Sequence, residues 1–408
     1  MPEKIGAADA PAHCRRAAPS ALPVPPSLPA SRPRVAYLIT NSEIGGAQTH
    51  VADLLTALRG RIEPTLLAGG NGPLLDHARA AGARTVRLPL LDNALSPLRA
   101  LAAFRQLLGA LRAAAPDLIH THSAKAGALG RVAGWLLGVP VVYTVHGFAF
   151  KAAAPARQRL AARAAEWLLA PLTTRLICVA QAERELAASL PIAASRISVI
   201  RNGIADTPAR AAPHAPLRRI VMVARLAAPK RADLAIRAFA HAALPDCELV
   251  IAGEGPQLDA LRTLAEAVAP GRVRFAGAVA DVPALLASAQ AFMLASDHEG
   301  FPLSVLEAMR TGLPVAASDL PGIREQLEDG ACGLLVPGND EAAWAAALQR
   351  LAGDAGLRAS LGQAARARWA REFGLAPMAE ATWAVYQQAL AGRRPAARAA
   401  ARSKASGT

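Results

Sequence analysis

The sequence predicts an α/β protein built from two doubly wound, parallel-sheet domains facing each other across a cleft. Three observations lead there. Short apolar runs alternate with longer amphipathic ones through the first half, the pattern of a parallel sheet covered by helices on both faces. A proline-rich stretch interrupts that alternation, which then restarts. The 408 residues also exceed one ordinary core and suit two.

Taken in order, RVAYLIT at 34–40 reads as the first buried strand, followed by a Gly45-Gly46 turn and a helix over 47–58. Strands are expected at 64–68, 85–88, 117–121, 140–145, 175–179 and 197–200. Helices over 97–114, 124–137, 155–170 and 182–188 lie between them. The stretch TPARAAPHAPL at 207–217 holds three prolines and no period, so it reads as the interdomain linker. Strands are then expected at 219–224, 248–252, 273–275, 291–294, 315–317 and 333–336, with helices between them, and helices over 340–351 and 377–391 close the pattern. The domains are accordingly expected at 33–206 and 218–376, with 377–391 packing back towards the first. Residues 1–32 and 392–408 read as solvated tails, the first disordered and the second basic.

Composition narrows the function classes. Hydrophobic residues make up 53% and charged residues 19%, a globular balance. Cys14, Cys178, Cys247 and Cys332 are scattered without metal-ligand spacing and read as reduced, cytosolic thiols. No run of 18 apolar residues suggests a membrane span, and the proline-broken start lacks the apolar core of a secretory signal. Of the net charge of +14, residues 1–32 carry +2 and residues 391–408 carry +5, leaving +7 on the body. That excess fits nucleotide phosphates, an acidic membrane surface or nucleic acid, and a codon bias towards Arg and Ala explains it equally well. Nucleic acid ranks last, because with 4% aromatic residues stacking platforms are scarce.

In doubly wound sheets ligands bind beyond the carboxyl ends of the strands, so the loops after strands carry the candidates. Gly45 and Gly46 precede a helix, where backbone amides can approach an anion; a plain tight turn explains them as well. Gly253 and Gly255 follow another strand, but Leu258 stands where a third glycine would complete a dinucleotide fingerprint. Arg225 and Lys230, five residues apart after the strand at 219–224, offer a guanidinium and an ammonium to a diphosphate. The richest segment is SDHEGFPLSVLEAM at 296–309. Glu299 lies in its loop, Pro302 suits the first helical position, and Glu307 sits on the helix, whose N-terminus attracts a sugar phosphate.

Glu299 and Glu307, with seven residues between them, resemble the E-x7-E signature of the retaining family 4 glycosyltransferases of the GT-B fold. The surrounding EGFPLSVLEAMRTGLPVAASDLPGIRE is similar to that family. So, in order, are the Gly45-Gly46 loop, His146-Gly147, Arg201-Asn202-Gly203-Ile204 and Arg225 to Lys230. HTHSAKAGALGR at 120–131 and TVHGFAF at 144–150 further resemble bacterial capsule and exopolysaccharide glycosyltransferases. The resemblance covers roughly residues 34–390; its one noted departure is Pro321-Gly322, where many members have Gly-Gly.

The resemblance implies two Rossmann-like domains and a role for each residue. Glu307 would hold the ribose hydroxyls and Glu299 the donor sugar's. Arg225 and Lys230 would neutralise the departing diphosphate, which the absence of a D-x-D pair leaves to protein groups in place of a metal. Backbone amides of Phe301 to Leu303 and of Gly45 and Gly46 would complete the cradle, with Gly253 beside it. His146 would flank the anomeric centre. Asn202 and Glu325 match family positions of less settled role. The expected reaction is retaining transfer of a hexose or N-acetylhexosamine from a nucleotide diphosphate-sugar, UDP preferred over GDP, to a lipid-linked glycan, with no metal and no cofactor.

Two basic stretches add a membrane expectation. Residues 97–114 place Arg99, Arg105 and Arg112 opposite an apolar face, and Lys151, Arg157, Arg159 and Arg163 form a second positive run. Both fit a cytoplasmic protein resting on the inner face of the cell membrane, although 97–114 fits an ordinary sheet-covering helix equally. The competing function is a nucleotide-sugar epimerase or a phosphorylase of the same layout. A binder without activity would need a lost catalytic side chain, and each motif position is intact.

Overall fold

The strands of the first half form one seven-stranded sheet because each is a short, nearly continuous apolar run that can be buried on both faces. In this computed structural model, which describes residues 32–92, 96–151 and 155–392, they are β1 Arg34–Ile39, β2 Glu63–Ala68, β3 Arg84–Arg87, β4 Leu118–His122, β5 Val141–Val145, β6 Arg175–Cys178 and β7 Ile197–Val199. Their order is β3-β2-β1-β4-β5-β6-β7, and every pair is parallel. A second sheet, also all parallel, has the order β10-β9-β8-β11-β12-β13. Its strands are β8 Arg219–Val223, β9 Glu248–Ala252, β10 Val273–Gly277, β11 Ala291–Leu294, β12 Val315–Ser318 and β13 Leu334–Val336. Both orders reverse next to the first strand of the sheet, the crevice where doubly wound folds hold ligands.

Every strand expected from the sequence corresponds to one of these, with ends shifted by two residues at most. Among the helices, Ala355–Glu372 was not foreseen: its arginines and alanines lack a clean apolar stripe, yet Leu361, Ala365 and Trp369 are buried on the second core. Pro302 is not the first helical residue. It occupies the cap position in an extended conformation, and Leu303 opens the helix Leu303–Thr311. The tails at 1–31 and 393–408 lie outside the described residues.

Helix Ala124–Leu137 lies unusually close to the first sheet, and its sequence explains why. Gly127, Gly130 and Gly134 repeat at helical spacing and face the strands. A methyl group on Gly130 would meet Thr121 Cγ2 at 2.3 Å, and one on Gly134 would meet Val141 Cγ2 at 2.2 Å. The same helix carries Arg131, buried and paired bidentately with Glu166 at 2.8 and 3.1 Å, its guanidinium 4.6 Å from the Tyr143 ring.

The chain crosses between the halves twice, at neighbouring places. Ile204 donates its N–H to the Phe373 carbonyl at 3.0 Å, and its own carbonyl accepts from Leu375 at 3.1 Å. Gly203 is needed there, because a Cβ would meet the Gly374 carbonyl at 2.2 Å. Helix Leu375–Ala391 then buries Met378, Trp383, Val385 and Tyr386 in the core of the first sheet. Tyr386 Oη bonds His120 Nδ1 at 2.6 Å and Tyr37 Oη at 3.0 Å, so the last helix reaches the inner face of β4.

Replacing Gly130 with Ala tests the helix contact. It should lower stability by about 1–3 kcal/mol through overpacking, read by denaturant unfolding, whereas the exposed Gly109, with open space around it, should accept Ala without loss.

Candidate active site at the strand ends

The site begins with two loops stitched together by backbone. The loop after β8 and the loop after β11 exchange hydrogen bonds, Arg231 N–H to the Ala295 carbonyl at 3.0 Å and Asp297 N–H to the Pro229 carbonyl at 2.9 Å. That stitching sets the Lys230 ammonium on the Glu299 carboxylate as a half-buried ion pair. A second ammonium, Lys151 from the first half, donates to the Glu299 carbonyl at 2.8 Å and pairs with Glu183. Glu183 also accepts the Phe148 N–H at 3.0 Å. Lys151 is therefore not a surface cation of a basic run, as its neighbourhood in sequence suggests, but part of the site.

Glycines let the two halves meet at backbone distance. A Cβ on Gly300 would stand 2.0 Å from the His146 carbonyl, and one on Gly322 would stand 1.7 Å from the Gly300 carbonyl. Pro321 is tolerated beside it because it starts the helix Pro321–Gln326, where a missing N–H costs nothing. Asn202 donates to the Phe301 carbonyl at 2.8 Å, and a Cβ on Gly46 would stand 4.0 Å from Leu303 Cγ. His146, Lys230, Glu299, Phe301, Pro302, Leu303, Gly45, Gly46 and Asn202 thus gather at one place between the halves. Pro302 itself has no N–H to offer, so any amide cradle there falls to Phe301 and to the first turn opened by Leu303, whose N–H groups lack intrahelical partners.

Other candidates sit differently. Gly253 has a backbone explanation of its own: in a left-handed conformation, its Cβ would meet the Ala224 carbonyl at 1.9 Å. The next residue after Ala224, Arg225, is exposed and has no ion pair among the described residues. Glu325 is a strut between the halves, accepting from Gln181 N–H at 2.7 Å and Arg201 Nε at 2.6 Å. Glu307 faces Arg310 and Asp53, not Lys230. Burial pushes its carboxyl up to about 7, Arg310 drawing it down and Asp53 adding to the rise. Asp53, on helix Gly46–Ala57, is itself raised to about 6 by burial.

Around His146 the structure gathers histidines that motif spacing alone did not single out. His146 Nε2 lies 3.1 Å from His122 Nδ1, and its ring stands edge-on to His50 at 4.9 Å. His120 Nε2 bonds Thr144 Oγ1 at 2.7 Å. Burial holds all four imidazoles neutral, lowering His50 to about 4 and the others well below the ordinary value, each being further depressed by a neighbouring imidazole except His50. The signal available in sequence was the alternation His120-Thr-His122, which puts both rings on one face of β4. A groove of about 820 Å³ lined by Pro229, Asp297, His298, Asp319 and Asn339 runs beside the site without including any candidate residue.

Comparison with known proteins gives this geometry a context. Residues 44–207 match Glycosyltransferase Family 4, and residues 209–368 match Glycosyl transferases group 1. The chain is similar to the UDP-Gal:alpha-D-GlcNAc-diphosphoundecaprenol alpha-1,3-galactosyltransferase of Escherichia coli, with 32% identity over 71% of this chain and 80% of that protein. It is also 32% identical to the D-inositol 3-phosphate glycosyltransferase of Salinispora arenicola, over 68% of this chain and 70% of that one. Among solved structures, Anabaena HepE in complex with UDP and glucose superposes with a TM-score of 0.77 at 20% identity, over 87% of this chain and 100% of HepE.

The Glu307 carboxyl makes a signed prediction. Its folded pKa lies above the ordinary 4.5, so stability present below pH 4.5 is lost as the pH rises through about 7. Glutamine escapes that loss. Glu307→Gln should raise the melting temperature of the ligand-free protein by roughly 2–4 °C at pH 8 and leave it unchanged near pH 4.5; an equal shift at both would contradict the assignment.

Proposed function

The chain belongs to the family 4 glycosyltransferases, enzymes of the GT-B fold, and we propose that it moves a hexose or N-acetylhexosamine from a UDP-sugar to a lipid-linked glycan with retention of configuration. The observation that carries the reading is the Lys230–Glu299 pair at the mouth of the second sheet, beside a helix start and opposite the Gly45-Gly46 loop. Departure of a nucleoside diphosphate develops negative charge. Lys230 and Arg225 on one loop, with the first-turn amides of helix Leu303–Thr311, stabilise it where a metal otherwise would. Glu299, already oriented by Lys230 and by Lys151 on its carbonyl, accepts hydrogen bonds from sugar hydroxyls. Glu307 does the same for the ribose, and its ionisation is what nucleotide binding would favour. His146 flanks the reacting carbon as a neutral imidazole, polar without adding charge.

The lipid-linked acceptor is supported by the acceptor printed in the name of the Escherichia coli relative. The epimerase and phosphorylase alternative is not favoured, since both halves of the chain match glycosyltransferase families. No described helix is long and apolar enough to cross a membrane. Attachment at the inner face of the cell membrane, in the cytoplasm, is instead supported by apolar side chains exposed on two neighbouring helices of the first half. Leu160, Trp167 and Leu168 of helix Ala156–Leu169 are 72%, 54% and 68% exposed, and Trp135 of helix Ala124–Leu137 is 65% exposed. Arg157 and Arg163 are exposed on the same helix as Trp167, while its Glu166 is turned inward to Arg131, so the outer face is basic and aromatic. Helix Pro97–Ala114 contributes less: Ala103, Leu107 and Leu111 cover the sheet.

Incubation with UDP-sugars and a polyprenyl diphosphate-linked acceptor should give transfer that EDTA leaves intact; transfer abolished by EDTA and restored by Mg²⁺ would overturn metal independence. Lys230→Ala should lower kcat at least 100-fold, the scale of losing one preorganised charge contact, and hydrolysis or epimerisation without acceptor would overturn the transferase assignment of substrate. Trp135→Ser with Trp167→Ser should reduce sedimentation with anionic liposomes while leaving turnover on a water-soluble acceptor unchanged.

A further inference from the structure

We infer that His50, His122 and His146 form a binding site for one zinc-class divalent ion, next to the reacting carbon but separate from the chemistry of transfer. One ring nitrogen from each lies within 4.8 Å of the other two. The 3.1 Å between His122 Nδ1 and His146 Nε2 is close to the ~3.3 Å that separates two nitrogens held about 2.0–2.1 Å from a tetrahedral zinc. The three side chains come from three elements, helix Gly46–Ala57, the end of β4 and the residue after β5, so the set closes only in the folded chain.

A second observation points to a ligand. His50 is 97% buried, yet its Nδ1 has no hydrogen-bond partner. Orphaned buried polar atoms in a native core call for an explanation, and imidazole lone pairs awaiting a cation supply one. An all-imidazole set with no carboxylate suits Zn²⁺, Cu²⁺ or Ni²⁺ and not Mg²⁺ or Ca²⁺. Entry is from the cleft, past His146, the least buried of the three. An ion there would fix the His146 ring and leave a fourth position open towards the cleft, so its occupancy would block transfer.

The test uses the untagged full-length chain loaded with one equivalent of Cu²⁺, with pulsed electron paramagnetic resonance to count bound imidazoles. Three coordinated imidazoles are expected; two or fewer would overturn the site, whatever the transferase assays give. His122→Gln should weaken Zn²⁺ affinity at least tenfold in competition with a chromophoric chelator, and His241→Gln, an exposed histidine elsewhere, should not. Equal losses in both, or in neither, would mark adventitious surface binding and reject the proposal. If His122→Gln does not fold, the imidazole count on the unaltered chain still decides. Added Zn²⁺ should suppress turnover reversibly on chelation, and zinc bound at the three histidines with turnover unchanged would overturn its placement beside the sugar.

Discussion

The arrangement of the site depends on one steric constraint, the contact of backbone with backbone at Gly300. Its α-carbon rests against the His146 carbonyl, and its own carbonyl rests against Gly322, at separations no side chain could occupy. Through that contact the end of β5 in one sheet touches the loop after β11 in the other. Glu299 and the helix start at Leu303 flank the same residue, so they inherit its position. The glycines in EGFP and PGIRE are thus set by approach distance more than by turn conformation, since neither Gly300 nor Gly322 has a positive φ.

Around that contact, charge is arranged by how far each group is buried. Lys230 and Lys151 converge on one residue, Glu299, one through its carboxylate and one through its carbonyl. Both remain partly open to the cleft, where an anionic ligand would find them. Glu307 is different, because burial outweighs the attraction of Arg310 and Asp53 opposes it, so its charge is expensive without a ligand. The histidines behind His146 go further still and stay neutral. The same burial that would make a charge costly there makes the hydrogen-bond lattice of His120, Thr144, Tyr386 and Tyr37 firm.

Helix Leu375–Ala391 ties this lattice to the far end of the chain. It leaves the second half at Gly374, packs Trp383 and Tyr386 into the first core, and places a phenol on a histidine of β4. Together with Glu325 on Gln181 and Arg201, it fixes the orientation of the two halves by contacts spread over the whole length of the chain.

By itself the sequence determined the two parallel sheets, since strand periodicity and apolar runs are local properties that survive without knowledge of the partner. It also located the segment 296–309, because a proline before a helix, two spaced carboxylates and a strand-end loop are written contiguously. It did not reveal helix Ala355–Glu372, whose buried face is too broken by arginine to show a stripe, nor that Pro302 caps its helix from outside. It read Lys151 as a surface charge, because the residue that claims it, Glu299, stands 148 positions away. The histidine cluster and the Glu307–Arg310–Asp53 group were likewise settled only by tertiary structure. The physical reason is common to all of them: burial and through-space charge depend on which elements pack together, and a side chain's neighbours in space are not its neighbours in the chain.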